Sequence, residues 1–284
     1  MWAALSGMRA RTWAGEAFLK TGKSVGRVTL WLGLEARAWT LSGEMSKSAQ
    51  LSQSSRRIPL VLSDRALLAA LICSAAVLWG AFRVDQGVLD FVTHHSGGFS
   101  RWLARGVSLV GDWYGVAALG LLGWWRARRR NSGHWKKLWL VMGICGALGG
   151  LSANVIRTLS GRARPHGGAP AGWYGPSEAR HPIKSAYAFQ SFPSAHTSVV
   201  AGFCAPLGWV ALRSRNRRWL FIGVGLSLSG TLLMAWSRVW VGAHHLSDVL
   251  AAALLGWGIA LAWVRYRAPE LIQSLEKAHG ASPS

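Results

Sequence analysis

Three short stretches of this chain carry residue types that do chemistry together. Ser237 to Asp248 reads Ser-Arg-Val-Trp-Val-Gly-Ala-His-His-Leu-Ser-Asp. His244 and Asp248 are four apart, so on a helix they share one face about a turn from each other. A carboxylate so placed can hold one ring nitrogen of the histidine and leave the other free to act. Arg238, just upstream, is suited to gripping an anion. Two other readings fit the same window: a plain His–Asp helix cap, and a metal site using His244, His245 and Asp248. Adjacent histidines diverge by roughly 100° on a helix. No H-E-x-x-H pattern or carboxylate cluster accompanies them, so no metal or other cofactor is expected.

The second stretch places Arg157 and Arg164 around six residues, with Arg162 between them and Pro165 next. It is an anion grip or a set of arginines snorkelling to lipid phosphates. The third, Pro193-Ser194-Ala195-His196, opens an apolar run. Pro and Ser are helix-start residues, and a helix start presents free N–H groups to an anion. The Ser194 hydroxyl adds a donor, and His196 falls on the first turn. Taken singly, an N-cap with an interfacial histidine accounts for this stretch.

The elements that must position these residues are apolar. Of 284 residues, 51% are hydrophobic and only 15% charged, below the roughly 25% of soluble domains. Six apolar runs, near 66–82, 106–125, 138–156, 197–212, 220–236 and 247–264, each approach the ~20 residues that cross a bilayer. The fold class expected is therefore all-α, a six-transmembrane-helix bundle. The 18 Trp suit membrane interfaces. Cys73, Cys145 and Cys204 lie inside apolar runs and read as small buried hydrophobes.

Charge sets the orientation. Arg126, Arg128, Arg129, Arg130, Lys136 and Lys137 separate runs two and three; Arg213, Arg215, Arg217 and Arg218 separate runs four and five. With Arg56, Arg57, Arg265 and Arg267 they mark one face, which the positive-inside rule makes cytoplasmic, together with both termini. This distribution accounts for most of the net charge of +21 without nucleic acid, for which no motif is evident. The connections 83–105, 157–196 and 237–246 then share the outer, extracytoplasmic face of an inner or plasma membrane. The first includes a candidate interfacial helix, Val84–His95. Arg157, Arg162 and Arg164 stand on the face where positive charge is disfavoured, and anion binding would explain them. Residues 1–60 read as a basic extension, disordered or interfacial, with Met45 an alternative start. Residues 61–268 read as the membrane domain and 269–284 as a cytoplasmic tail.

Taken in order, the three stretches resemble the signature of the type 2 phosphatidic acid phosphatase family: Lys-x6-Arg-Pro, Pro-Ser-Gly-His and Ser-Arg-x5-His-x3-Asp. Here Arg157 replaces the lysine, Ala195 replaces the glycine, and the third motif matches throughout. The resemblance implies metal-independent hydrolysis of a membrane lipid phosphate or diphosphate. His244 would be the nucleophile that forms a phosphohistidine, Asp248 would hold its tautomer, and His196 would protonate the leaving oxygen and then activate water. Arg157, Arg164, Ser194, Ala195 and Arg238 would hold the phosphoryl oxygens. The lipid partners expected are undecaprenyl diphosphate first, then phosphatidic acid, phosphatidylglycerophosphate or a lipid A phosphate. A lipid phosphotransferase and a non-enzymatic lipid-binding or transport protein are the alternatives. Asp112 is a further candidate for the pocket wall, and His166, His181 and His245 read as loop or supporting residues. Glycine at 195 would be required only if φ there were positive.

Overall fold

Apolar segments next to lipid must satisfy their own backbone N–H and C=O groups, and a helix does so within the segment. The computed structural model describes residues 64–178, 186–212 and 216–267. The expectations for residues 1–60, for 269–284 and for His181 lie outside the described residues. The helices are α1 (Asp64–His95), α2 (Gly98–Val110), α3 (Trp113–Arg129), α4 (Gly133–Ser160), the single turn α5 (Gly175–Glu178), α6 (Ala195–Ala211), α7 (Arg217–Trp240) and α8 (Leu246–Arg267), with a 3₁₀ turn at Ala186–Phe189. Among the described residues there is no strand, only an isolated bridge between Arg162 and Trp173.

Two boundaries differ from expectation. Val84–His95 is not a separate interfacial helix but the end of the 32-residue α1. Gly87 is the weakest helix former there, and a lone glycine costs only about 1 kcal/mol. The second apolar run is instead broken: α2 and α3 meet at a 56° bend. Gly111 and Asp112 sit at the break, and Asp112 has the extended backbone of an N-cap, a position its side chain favours.

By length and composition four helices (α1, α4, α7 and α8) can cross a membrane, or five if α2 and α3 are one bent span, while α6 is a shorter apolar helix. The chain is a multi-pass membrane protein. Its outward surface is apolar, as on α1, where Leu68, Leu71, Ile72 and Trp79 are exposed.

The bundle is organised around α6, which packs against α4, α7 and α8. Thirteen of its 17 residues are buried, so it is wrapped by protein rather than lipid. Small residues permit that approach. A Cβ on Gly202 would lie 2.5 Å from the Cys145 carbonyl oxygen of α4, and one on Gly256 of α8 would lie 2.6 Å from the Gly202 nitrogen. The C-terminus of α4, the N-terminus of α6, the C-terminus of α7 and the N-terminus of α8 thereby gather at one end. Gly161, at φ +59°, ends α4 in the left-handed conformation. The chain after it is pinned by Arg164 N–H to the Ala188 carbonyl and Ser191 N–H to the Arg162 carbonyl.

Candidate active site

His244 sits between α7 and α8 and is 1% exposed. Its Nδ1 lies 2.8 Å from the Ser191 carbonyl oxygen. A carbonyl only accepts, so Nδ1 carries the proton and Nε2 keeps its lone pair. Arg164 Nη1 stands 3.2 Å from that Nε2 and donates to it. Burial, ahead of the nearby charges, pushes the ring pKa down to about 3. His244 is therefore neutral at pH 7, and its Nε2 lone pair accepts from the Arg164 N–H.

The expected direct bond from Asp248 to His244 is displaced. Asp248 Oδ2 is 3.7 Å from His244 Nδ1, because Ser191 intervenes: its carbonyl takes the His244 ring, and its hydroxyl donates to Asp248 Oδ2 at 2.5 Å. Asp248 also accepts from the His245 backbone N–H at 2.8 Å and lies 3.2 Å from His245 Nδ1. Its other oxygen takes Arg162 Nη1 at 2.5 Å.

Arg162 continues this chain of charge. Its Nη1 also donates to Ser247 Oγ at 2.6 Å, and its Nη2 reaches Asp85 of α1 at 2.8 Å. Asp85 in turn accepts from the Ser247 N–H at 2.8 Å and from its hydroxyl at 2.5 Å. Phe82 and Trp173 pack their rings about 5 Å from the guanidinium. Asp85, Arg162, Ser247 and Asp248 are all buried. The sequence offered Arg162 as one of three anion-binding arginines, whereas in the fold it pairs with Asp85 and Asp248; Asp85 was missed, although an acid beside an apolar run is a signal for a site.

Arg164 is held by bonds from Nε to the Tyr187 carbonyl and from Nη1 to the Ala243 carbonyl, and it stacks 3.8 Å from the Tyr187 ring centre. Burial draws its pKa down to about 10, so it stays charged at pH 7. Arg238 is buried and donates to Ser108 Oγ at 3.2 Å. The Nε groups of Arg238 and Arg157 are buried without a protein partner. Unpaired buried donors of this kind are costly, and an anion is the kind of partner that would satisfy them. A cavity of about 290 Å³ is lined by Arg105, Ser108, Arg164, His166, Tyr187 and Arg238 together with residues 241–243. Arg105, from α2, was not singled out in the sequence. His166 Nδ1 is 2.8 Å from the Gly242 carbonyl oxygen.

His196, on the first turn of α6, has its Nε2 3.3 Å from Asp112 Oδ1 at the α2–α3 break. Asp112 thus joins the site through His196. Arg238, Arg164 and Arg157 all act on the His196 ring electrostatically, which ties the three arginines and both histidines to one region. Ser194 is buried at the N-cap of α6; its N–H donates to the Asp248 carbonyl at 3.2 Å, and its Oγ accepts from Thr197 at 3.1 Å. Ala195 is not among the positive-φ residues, so the backbone there has no need of glycine. Among the described residues, no three His, Cys, Asp or Glu side chains gather as a metal-ligand group.

Residues 136–271 match the family model described as the PAP2 superfamily, and all three motif stretches fall within that range. The chain is 36% identical over 118 residues to Lipid A 1-phosphatase of Rhizobium etli, covering 41% of this chain and 45% of that protein. It is 36% identical over 107 residues to Lipid A 1-phosphatase of Rhizobium johnstonii, covering 38% of each. The chain thus spans less than half the length of these curated relatives. No solved structure matches it.

Proposed function

We propose that this chain, whose residues 136–271 match the family model described as the PAP2 superfamily, is a member of that family and hydrolyses a membrane lipid phosphate through a phosphohistidine. The observation that carries the reading is the state of His244: Nδ1–H is tied to a carbonyl, and the Nε2 lone pair faces the Arg164 guanidinium. The Arg164 N–H turns to a phosphoryl oxygen, and the freed nitrogen attacks phosphorus as the bond to the lipid oxygen breaks. Arg157, Arg164 and Arg238 neutralise the phosphoryl oxygens, with Ser194 and the backbone N–H groups at Ala195 and His196 alongside. With the phosphoryl anion offsetting the three arginines, His196 paired to Asp112 holds the proton that it gives to the departing lipid alkoxide. Neutral His196 then takes a proton from water as the water oxygen attacks phosphorus, releasing inorganic phosphate and restoring both rings. Asp248 acts on His244 through Ser191, which it holds by the hydroxyl.

In the membrane, α1, the α2–α3 pair, α4, α6, α7 and α8 form six spans, with both termini cytoplasmic and the site at the extracytoplasmic face. At 1.5 Å per residue α6 is about 26 Å long, close to the ~30 Å hydrocarbon core. Among the candidate substrates, the names of the two relatives favour lipid A 1-phosphate over undecaprenyl diphosphate.

The test is phosphate release from a panel of lipid A 1-phosphate, undecaprenyl diphosphate, phosphatidic acid and phosphatidylglycerophosphate, with chelator present. Turnover of at least one lipid is expected, abolished in His244→Ala, with an acid-labile phosphoryl group trapped on the wild-type protein. Undiminished turnover in His244→Ala would sink the nucleophile, and loss of turnover on chelation would sink the metal-free mechanism.

A further inference from the structure

Two apolar grooves flank α3. One, about 540 Å³, lies among α2, α3, α6 and α7; the other, about 510 Å³, lies between α3 and α4 and also reaches α6 at Val199. We propose that the first groove is the seat of a hydrocarbon chain of the phosphorylated lipid, a reading that rests on the proposed phosphatase activity.

The first argument is where the groove begins. Gly111, in its wall, immediately precedes Asp112; Val200, also in its wall, lies one turn below His196 on the same face of α6. The lipid is the leaving group, and its oxygen departs beside the histidine that protonates it. The chain attached to that oxygen therefore starts at the His196–Asp112 pair, which both grooves adjoin, since Trp113 and Val199 wall the second; the choice between them falls to the walls shared with the polar cavity.

The second argument is shared walls. The helices that bound the groove on one side, α2 and α7, also bound the polar cavity, to which they give Arg105, Ser108 and Arg238. The polar cavity and the apolar groove thus have α2 and α7 as common walls. The second groove borrows neither helix.

The third is chemistry. The groove lining holds no charged residue, and Trp102, Leu103, Leu233 and Met234 supply its apolar surface. Gly106 leaves part of the room: a Cβ there would meet nothing within 4 Å. A methylene chain finds an apolar slot, and burying each CH₂ is worth about 0.8 kcal/mol.

The experiment uses the full chain in nanodiscs and a long-chain phosphatidic acid bearing a diazirine in its acyl chain. Photolysis is expected to label peptides of α2 and α7, and excess unlabelled phosphatidic acid should suppress that labelling while excess phosphatidylcholine does not. In parallel, Gly106→Leu should lower the ratio of kcat/KM for long-chain over dibutyryl phosphatidic acid by about tenfold or more. Gly143→Leu, which fills the second groove at another open position, should leave that ratio near wild type. Labelling of α3 and α4 with the loss carried by Gly143→Leu would overturn the proposal. So would α2 labelling that phosphatidylcholine suppresses equally, the mark of ordinary bulk lipid. Competed labelling of α2 and α7 without phosphate release from any lipid would support the groove and sink the phosphatase reading instead.

Discussion

Replacing Arg162 by methionine is the sharpest perturbation of the buried charge chain. The guanidinium makes three bonds, to Asp85 at 2.8 Å, Asp248 at 2.5 Å and Ser247 at 2.6 Å, and the residue is only 8% exposed. Hydrogen bonds to charged groups contribute about 1.5–3 kcal/mol each, which sums to roughly 4.5–9 kcal/mol for three. That sum overshoots, because both carboxylates keep other donors: Ser247 N–H and Oγ on Asp85, Ser191 Oγ and His245 N–H on Asp248. Removing one partner of a buried pair costs about 3–5 kcal/mol, and the upper end is expected because two acids lose their cation. Tryptophan fluorescence during denaturant unfolding in detergent measures the loss. Adding Asp85→Asn to Arg162→Met should recover part of it, since one uncompensated carboxylate is then gone. A loss under about 1 kcal/mol for Arg162→Met, or full additivity of the two changes, would refute the reasoning.

Three further outcomes are expected. Unfolded His244 gains its proton near 6.5 but the folded ring resists until about 3, so the unfolded chain binds more protons across that window. Stability should fall as pH drops from about 6.5 towards 3, and His244→Asn should flatten the slope of unfolding free energy against pH there. Asp112→Asn should cut kcat by about 10- to 100-fold with little change in KM, part of the 10²–10⁴-fold range of general acid–base catalysis; an unchanged kcat in single-turnover assays removes Asp112 from the mechanism. Gly242→Ala should destabilise by more than Gly168→Ala. Both positions have positive φ (+69° and +73°), a cost of about 1–3 kcal/mol for a side chain, but only at Gly242 would the Cβ lie 2.3 Å from the His166 ring. Thermal unfolding of the two variants compares them directly.

The sequence made legible what local periodicity encodes. Apolar runs announced helices, and the motif spacings placed Arg157, His196, Arg238 and Asp248 at helix ends that the bundle brings together. The break at Gly111–Asp112 was hidden because both neighbouring segments are apolar. Ser191 was hidden for another reason: it sits in the middle of a long connection, and its part is played half by a backbone carbonyl, which every residue possesses. Asp85 and Ser247 stand 162 residues apart, and no spacing rule reaches that far. The direct His244–Asp248 bond was inferred from a spacing of four on one helix, but α8 begins only at Leu246, so His244 lies on the turn before it.

The bond from Asp85 to Ser247 also sets a timetable for biosynthesis. Asp85 leaves the ribosome on the first apolar helix, its cation Arg162 follows 77 residues later, and the N–H of Ser247 that it caps follows 162 residues later. At about 5–20 residues per second, the acid waits roughly 4–15 s for its charge partner and roughly 8–32 s for the last helix. Until Arg162 arrives α1 carries an unpaired Asp85 carboxylate, which a bilayer tolerates poorly. Among the described helices, α1 therefore gains its full set of polar bonds only when α8 arrives, and the buried charge chain closes late in synthesis.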